Sequence, residues 1–169
     1  DNDQKCLSQR IFNETNKHKI SNNFKNISIA SDTADIEFLP SKNLECTVIC
    51  YEEEKENHNV LVKDDTLYIK LESTKKWYEY IGVNFGSPKI TIYIPNTELG
   101  TLTINSSTSD IEIKDMSLSS LNVSVSTGKV LVKNSVCHND INIKVSTGEV
   151  KFSSVNCKNV FTNGSTGDI

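Results

Sequence analysis

Acidic residues recur at one fixed position of a repeated motif. They stand two residues after a recurring threonine, and the residues found there are Asp35, Asp110, Lys129, Glu149 and Asp168. A row of carboxylates along a β-helix would suit the acid pair of a polysaccharide-cleaving enzyme or an oxygen-rich calcium site. Lys129 stands between two of the acids and argues against both, because it favours an exposed ion-pair ladder worth roughly 0.2–1 kcal/mol per pair. We therefore expect these side chains to serve the structure of the turns.

Cys137 and Cys157 stand at the same position of two successive motifs. On adjacent coils of a stacked structure their Cα atoms would lie about 5 Å apart, which is within disulfide range. Side chains in such a ladder point the same way, which would strain a disulfide bond between them. Two buried free thiols are therefore favoured, with a disulfide as the alternative. A zinc site with His138 is disfavoured, because neighbouring residues of a strand point to opposite sides. We expect no metal site.

Residues 72–87 interrupt the pattern of strands and are rich in aromatic side chains. An exposed aromatic loop next to lysines suits a carbohydrate face or a membrane interface, whereas the favoured structural interpretation is that the loop covers the side of the repeat array. Loops on rigid scaffolds often carry binding sites. The candidate ligand-binding residues are Trp77, Tyr78, Tyr80 and Phe85.

Catalytic and nucleotide-binding signatures are missing from the sequence. We find no nucleophile triad, phosphate loop or dinucleotide fingerprint, and the charged run at residues 51–58 is interpreted as a solvated turn. The net charge of -4 provides no broad basic surface for a nucleic acid. We therefore expect neither an enzyme nor a cofactor, and no nucleic-acid partner.

A repeated motif in the sequence predicts the β-strands that position these residues. The threonine of a Ser-Thr-(Gly/Ser) motif recurs at Thr108, Thr127, Thr147 and Thr166, and apolar residues alternate with polar ones on both sides of it. Alternation of this kind indicates β-strands with one buried face, and the excess of isoleucine and valine over alanine excludes a helical bundle. The pattern predicts an all-β, single-domain β-solenoid of 19–20-residue repeats.

An antiparallel β-hairpin array or sandwich is the alternative to the solenoid. The segment around Thr127 and Gly128 could fold back so that Val125 faces Val130. The fixed spacing favours the solenoid, because stacked coils do not tolerate drift in length. An earlier copy of the motif at residues 27–38 places the start of the array near Phe24.

Two regions are predicted along the chain. Residues 1–23 are polar, with little periodicity, and are expected to form an N-terminal stalk or linker; residues 24–169 form the repeat domain. Because the chain stops within a motif, we expect the repeat domain to be truncated at its C-terminus. Uncapped coil ends expose strand edges that allow self-stacking.

Four segments and the serial Ser-Thr-Gly motifs together resemble a bacterial "putative adhesin" β-strand-repeat family, a domain of unknown function. The segments are residues 24–29, 32–37, 51–58 and 89–95. The resemblance implies a β-helical fold, an extracytoplasmic location with a membrane tether in the full-length protein, and a binding or scaffolding role. It carries no catalytic residues. The chain departs from the motif at Ser109, where glycine is usual.

The expected function is a non-catalytic, adhesion-like interaction scaffold outside the cytoplasm. Its partner would be a cell-surface glycan, an envelope component or another protein. Two alternatives stay open at this stage: a carbohydrate-active β-helix enzyme, and a module for envelope-stress sensing or assembly.

Overall fold

The computed structural model describes residues 13–73, 88–164 and 166–168. Eleven β-strands make up this part of the chain. They are β1 Asn13–Ile20, β2 Asn26–Ala30, β3 Asp35–Pro40, β4 Cys46–Glu53, β5 Glu56–Lys63, β6 Thr66–Ser73, β7 Lys89–Ile94, β8 Glu98–Thr108, β9 Ile111–Lys114, β10 Ser117–Asn163 and β11 Thr166–Asp168. The fold is all-β and solenoid-like, as predicted. Within the described ranges, no helix has the length and apolar character needed to cross a membrane.

All the described strands belong to one sheet. The order is β1-β4-β7-β3-β9-β10-β8-β2-β6-β5, with β11 paired to β10. Pairing between β8, β9, β10 and β11 is parallel, and paired residues stand nineteen positions apart, as in Leu121 beside Leu102 and Thr147 beside Thr166. The alternative of a hairpin at Thr127 and Gly128 is wrong, because Val125 pairs in parallel with Ser106 and Val130 with Ile111.

The strands are not stacked in chain order. β2 lies between β6 and β8, so that Ile29 pairs with Ile69 on one side and Ile104 on the other. The turn after β2 therefore lies directly beside the end of β8, and the carbonyl oxygen of Asp32 accepts hydrogen bonds from the N–H groups of Ser107 and Thr108 at 3.1 and 2.8 Å. Antiparallel pairing among the described strands joins β1 to β4, β4 to β7 and β5 to β6.

Part of the predicted stalk is a strand. Residues Asn13–Ile20 form β1, which pairs antiparallel with β4 along its whole length. Every second side chain of β1 is half-buried, although all of its residues except the last, Ile20, are polar or charged. Backbone hydrogen bonds to β4 hold this polar segment in the sheet, and such bonds do not depend on side-chain type. The apolar pattern of the sequence therefore could not identify β1 as a strand.

The core is filled by the alternating apolar residues of the strands. Phe38 and the isoleucines and leucines that stack beside it are shielded from solvent, each contributing about 1.5–3 kcal/mol by burial. The largest fully buried side chains are Phe38, Ile27, Ile29, Ile36, Leu67, Ile69, Ile90, Ile92, Leu102, Ile104, Ile111 and Ile113. This continuous interior fixes which side chains of each strand point outward.

Candidate functional site

The aromatic residues predicted to bind a ligand lie outside the described residues. Trp77, Tyr78, Tyr80 and Phe85 all fall within residues 74–87. Their role stays a prediction.

The two stacked cysteines are free thiols. Cys137 is buried and Cys157 half-buried, and the Cys137 thiol donates to the carbonyl oxygen of Ser119 at 3.3 Å. Burial raises the pKa of Cys137, which disfavours the thiolate needed for oxidation. The two sulfurs are thus not joined in this structure, and a disulfide under oxidising conditions stays a prediction.

Two of the acidic side chains that follow the recurring threonine bind the turns. The Asp35 carboxylate accepts a hydrogen bond from the backbone N–H of Asp110 at 2.9 Å, and the Asp110 carboxylate accepts one from the N–H of Lys129 at 3.0 Å. Asp35 and Asp110 thus each bind the backbone of the adjacent turn, whereas Glu149 lies 2.9 Å from the Lys151 ammonium group. These contacts support the structural role and leave little reason to assign acid-base chemistry to the row.

Outward-facing polar side chains form a row across the sheet, which we call the polar row: Ser28, Thr103, Asn122 and Asn142. Ser28 pairs with Thr103 and Thr103 with Asn122, and the amide group of Asn142 donates to the amide oxygen of Asn122 at 3.2 Å. The row exists because neighbouring residues in each strand are buried in the core, which turns these side chains to solvent.

An exposed aromatic side chain stands at each end of the polar row. Tyr68 pairs with Ser28 at one end and is 38% exposed. Phe161 is 56% exposed and lines a groove of about 300 Å³ together with Thr103, Asn122 and Asn142 at the other end. Five strand spacings separate the two rings, or roughly 24 Å. The sequence interpretation missed this surface, because the register between β6, β2 and β8 is needed to bring Tyr68 into line with Phe161.

A second group of polar side chains is buried where the inward face of β4 ends. Cys46, Val48 and Cys50 occupy that face, and Glu52 follows at the next inward position with 1% of its surface exposed. β5 brings His58, which is 5% exposed, against it. The interpretation of residues 51–58 as a solvated turn is therefore wrong for these two side chains.

Hydrogen bonds satisfy the buried carboxylate of Glu52. One oxygen accepts both the backbone N–H and the ring Nδ1 of His58, each at 2.7 Å, and the other accepts the amide of Asn16 at 2.8 Å. Burial by itself would raise the pKa of Glu52, but these hydrogen bonds together lower it below its ordinary value. Ser31 lies on the far side of the ring, with its Oγ 2.9 Å from His58 Nε2.

The fold places the protein in the class of all-β, solenoid-like scaffolds with a regular outward face. The chain belongs to the Toastrack DUF4097 family, whose family model matches residues 24–169. A comparison with curated proteins gave no significant match.

The fold resembles that of a solved structure at low sequence identity. The chain is similar to a "putative cell adhesion protein" from Clostridium sporogenes, with 9% identity, a TM-score of 0.54, and coverage of 94% of this chain and 100% of that one. It also matches a "putative adhesin" from Bacteroides fragilis with 15% identity, a TM-score of 0.38, and coverage of 94% and 97%. A "putative lipid binding protein" from Parabacteroides distasonis matches with 15% identity, a TM-score of 0.33, and coverage of 93% and 96%.

Proposed function

We propose that the protein is a non-catalytic, adhesion-like scaffold that binds an extended glycan along the polar row. The observation that carries the proposal is the alignment of hydroxyl and amide groups between two exposed aromatic rings, Tyr68 and Phe161. The ligand would lie across the strands, so that successive units meet successive side chains of the row.

The chemistry of the row matches a ligand that carries many hydroxyl groups. An asparagine amide both donates and accepts hydrogen bonds, as does a hydroxyl of serine or threonine, so each position can pair with a sugar hydroxyl in either sense. The flat faces of the aromatic rings offer apolar contact for the C–H faces of sugar rings. Lys144 also lines the groove near Phe161 and would favour a glycan with anionic groups.

Family membership supports the location that we propose. We infer that the domain works outside the cytoplasm, tethered to a membrane in the full-length protein. The naming of the Clostridium sporogenes protein for cell adhesion supports this location and the binding role. We also propose that the scaffold self-associates through strand edges at the ends of the array, which size-exclusion chromatography tests.

Substituting the end aromatics tests the glycan proposal. We expect Tyr68→Ala and Phe161→Ala each to weaken binding of a soluble bacterial polysaccharide about tenfold, which corresponds to about 1.4 kcal/mol for the loss of one stacking contact. Isothermal titration calorimetry, guided by a glycan screen, measures the change. Tyr51→Ala is the matched control, because Tyr51 is 42% exposed but lies on β4, away from the polar row. Equal effects of Tyr51→Ala and the other two variants would contradict the proposal.

A further inference from the structure

Ser31, His58 and Glu52 form a continuous hydrogen-bonded relay that the scaffold function does not use. The distances are 2.9 Å from Ser31 Oγ to His58 Nε2 and 2.7 Å from His58 Nδ1 to Glu52 Oε2. The carboxylate and the ring are buried, whereas Ser31 is half-buried and forms the accessible end. The roles of hydroxyl, base and orienting carboxylate in this order are those of an activated nucleophile.

The hydrogen bonds fix which ring nitrogen can act as a base. A carboxylate only accepts hydrogen bonds, so Nδ1 of His58 carries the proton that faces Glu52. In the neutral ring, Nε2 then presents its lone pair to the Ser31 hydroxyl. Glu52 is itself held in place by the amide of Asn16 and the backbone N–H of His58, which restricts rotation of the whole relay.

We propose that Ser31 is a nucleophile that accepts an acyl group from activated esters and becomes a covalent serine ester. The Ser31 oxygen attacks the carbonyl carbon while its proton passes to His58 Nε2. The bond from carbon to the leaving group then breaks, and that proton leaves with the departing alcohol. Atoms and charges balance without a metal or a redox partner, and the product is acylated Ser31.

The surroundings of Ser31 favour a single acylation over turnover. Three backbone donors of this region are already engaged: the N–H of Ser31 binds Asn105, and those of Ser107 and Thr108 bind Asp32. The oxyanions of acylation and of hydrolysis would both find no spare donor among these three groups. An activated ester still acylates Ser31 because its leaving group departs readily, whereas the ordinary ester formed at Ser31 would be hydrolysed slowly. A stoichiometric modification of this kind is compatible with a non-catalytic scaffold.

Cys50 supplies the competing interpretation of the same cluster. Its sulfur and the donor atoms of Glu52 and His58 all lie within 4.8 Å of one another, as the ligands of a metal ion could. However, Glu52 already accepts three hydrogen bonds, and burial, with a smaller contribution from Glu52, raises the pKa of the Cys50 thiol to about 12. The relay, together with the hydrogen bonds from Asn16 and from the backbone N–H of His58, already occupies both carboxylate oxygens of Glu52, so we favour the nucleophile.

Labelling with a fluorophosphonate probe tests the proposal. The probe forms a bond between serine oxygen and phosphorus and releases fluoride, so intact-protein mass spectrometry counts the labelled sites. We expect one label on the folded protein, at Ser31, and none on Ser31→Ala. Ser106→Ala is the matched control, because Ser106 is also half-buried, precedes the next turn, and donates to the Asp32 carbonyl oxygen instead of a histidine. It should label like the wild type.

The rate of labelling shows whether His58 activates the Ser31 hydroxyl or whether Ser31 is labelled only because it is exposed. We expect His58→Gln to slow labelling about 10²–10⁴-fold, and the wild-type rate to rise with pH through a single titration. The other titratable groups near the ring among the described residues are Glu52 and Cys50 on β4, with Glu14 on β1 linked through Asn16. If His58→Gln does not fold, the wild-type pH profile decides.

Three results would overturn the proposal. They are the absence of a label on the folded wild type, equal labelling of Ser31→Ala, and tight binding of one equivalent of Zn²⁺ that Cys50→Ser abolishes. The last would assign the cluster to a metal. Glycan binding by Ser31→Ala should be unchanged, so failure here leaves the scaffold proposal standing.

Discussion

Replacement of Gly128 by alanine should lower the free energy of unfolding by about 3 kcal/mol or prevent folding. The glycine has a φ of 149°, which side chains rarely adopt, and an added Cβ would lie 1.9 Å from the carbonyl oxygen of Ser109. That oxygen belongs to the backbone of the adjacent turn, so relief requires the two turns to separate. Urea unfolding followed by circular dichroism measures the loss.

Gly164→Ala is the matched control for Gly128→Ala. Its φ lies outside the left-handed region, and its added Cβ would approach the carbonyl oxygen of Val145 only to 2.8 Å. We expect a smaller loss than at Gly128, about 1–2 kcal/mol, because some backbone must still move but the contact is less severe and no left-handed φ has to be imposed on alanine. Gly148, with the same φ as Gly128, should behave like Gly128. Equal losses at positions 128 and 164 would show that the turns are not closely stacked.

The stacking of turns also explains the departure from the motif at Ser109. This residue is 2% exposed and its hydroxyl is hydrogen-bonded to that of Ser106. A serine is accommodated there because the residue does not adopt the positive φ of Gly128 and Gly148. The copies of the motif are therefore not equivalent, and the requirement for glycine begins at the following turn.

The alternation of apolar residues predicted the inward faces well, but not the order of the strands. Ile27, Ile29, Ile36 and Phe38 are all buried, as their two-residue period indicates. The pairing of β2 with β8, across 75 positions, could not be predicted. The period of the apolar residues indicates which side of a strand is buried. It does not indicate which strand lies beside it, because several strands of similar composition could pair with the same partner.

The candidate sites were harder to predict for the same reason. The polar row consists of ordinary serine, threonine and asparagine residues whose alignment depends on the register of separate strands. Glu52 continues the inward alternation of Cys46, Val48 and Cys50, and this is the one signal that could have identified it. A charged residue on an inward face is stable only with partners. Asn16 reaches Glu52 through the pairing of β1 with β4, and His58 reaches it from β5, which follows β4 after a two-residue turn.

Glu52→Gln should lower the free energy of unfolding by about 3 kcal/mol, although it changes neither size nor shape. The two oxygens of Glu52 accept from three donors, on Asn16 and His58. Glutamine has only one oxygen, so its NH₂ group must face a donor and leave it unsatisfied in a buried position. Urea unfolding at neutral pH measures the loss.

A surface pair of the same composition provides the control for Glu52→Gln. Glu98 lies 2.7 Å from His138, but their side chains are 66% and 52% exposed. We expect Glu98→Gln to cost less than about 1 kcal/mol, because water and salt screen an exposed pair. Similar losses for the two variants would mean that burial does not strengthen the Glu52 contacts.

Acid should remove the advantage that wild-type Glu52 holds over glutamine. In the folded protein the pKa of Glu52 lies below the ordinary value of about 4.3. The stabilisation is therefore complete above that ordinary value, and it is lost as the pH falls and the folded carboxylate takes up a proton. The difference in unfolding free energy between wild type and Glu52→Gln should therefore be smaller below about pH 4 than at neutral pH. A difference that persists undiminished at lower pH would show that the charge of Glu52 contributes nothing, and that shape alone holds His58 in place.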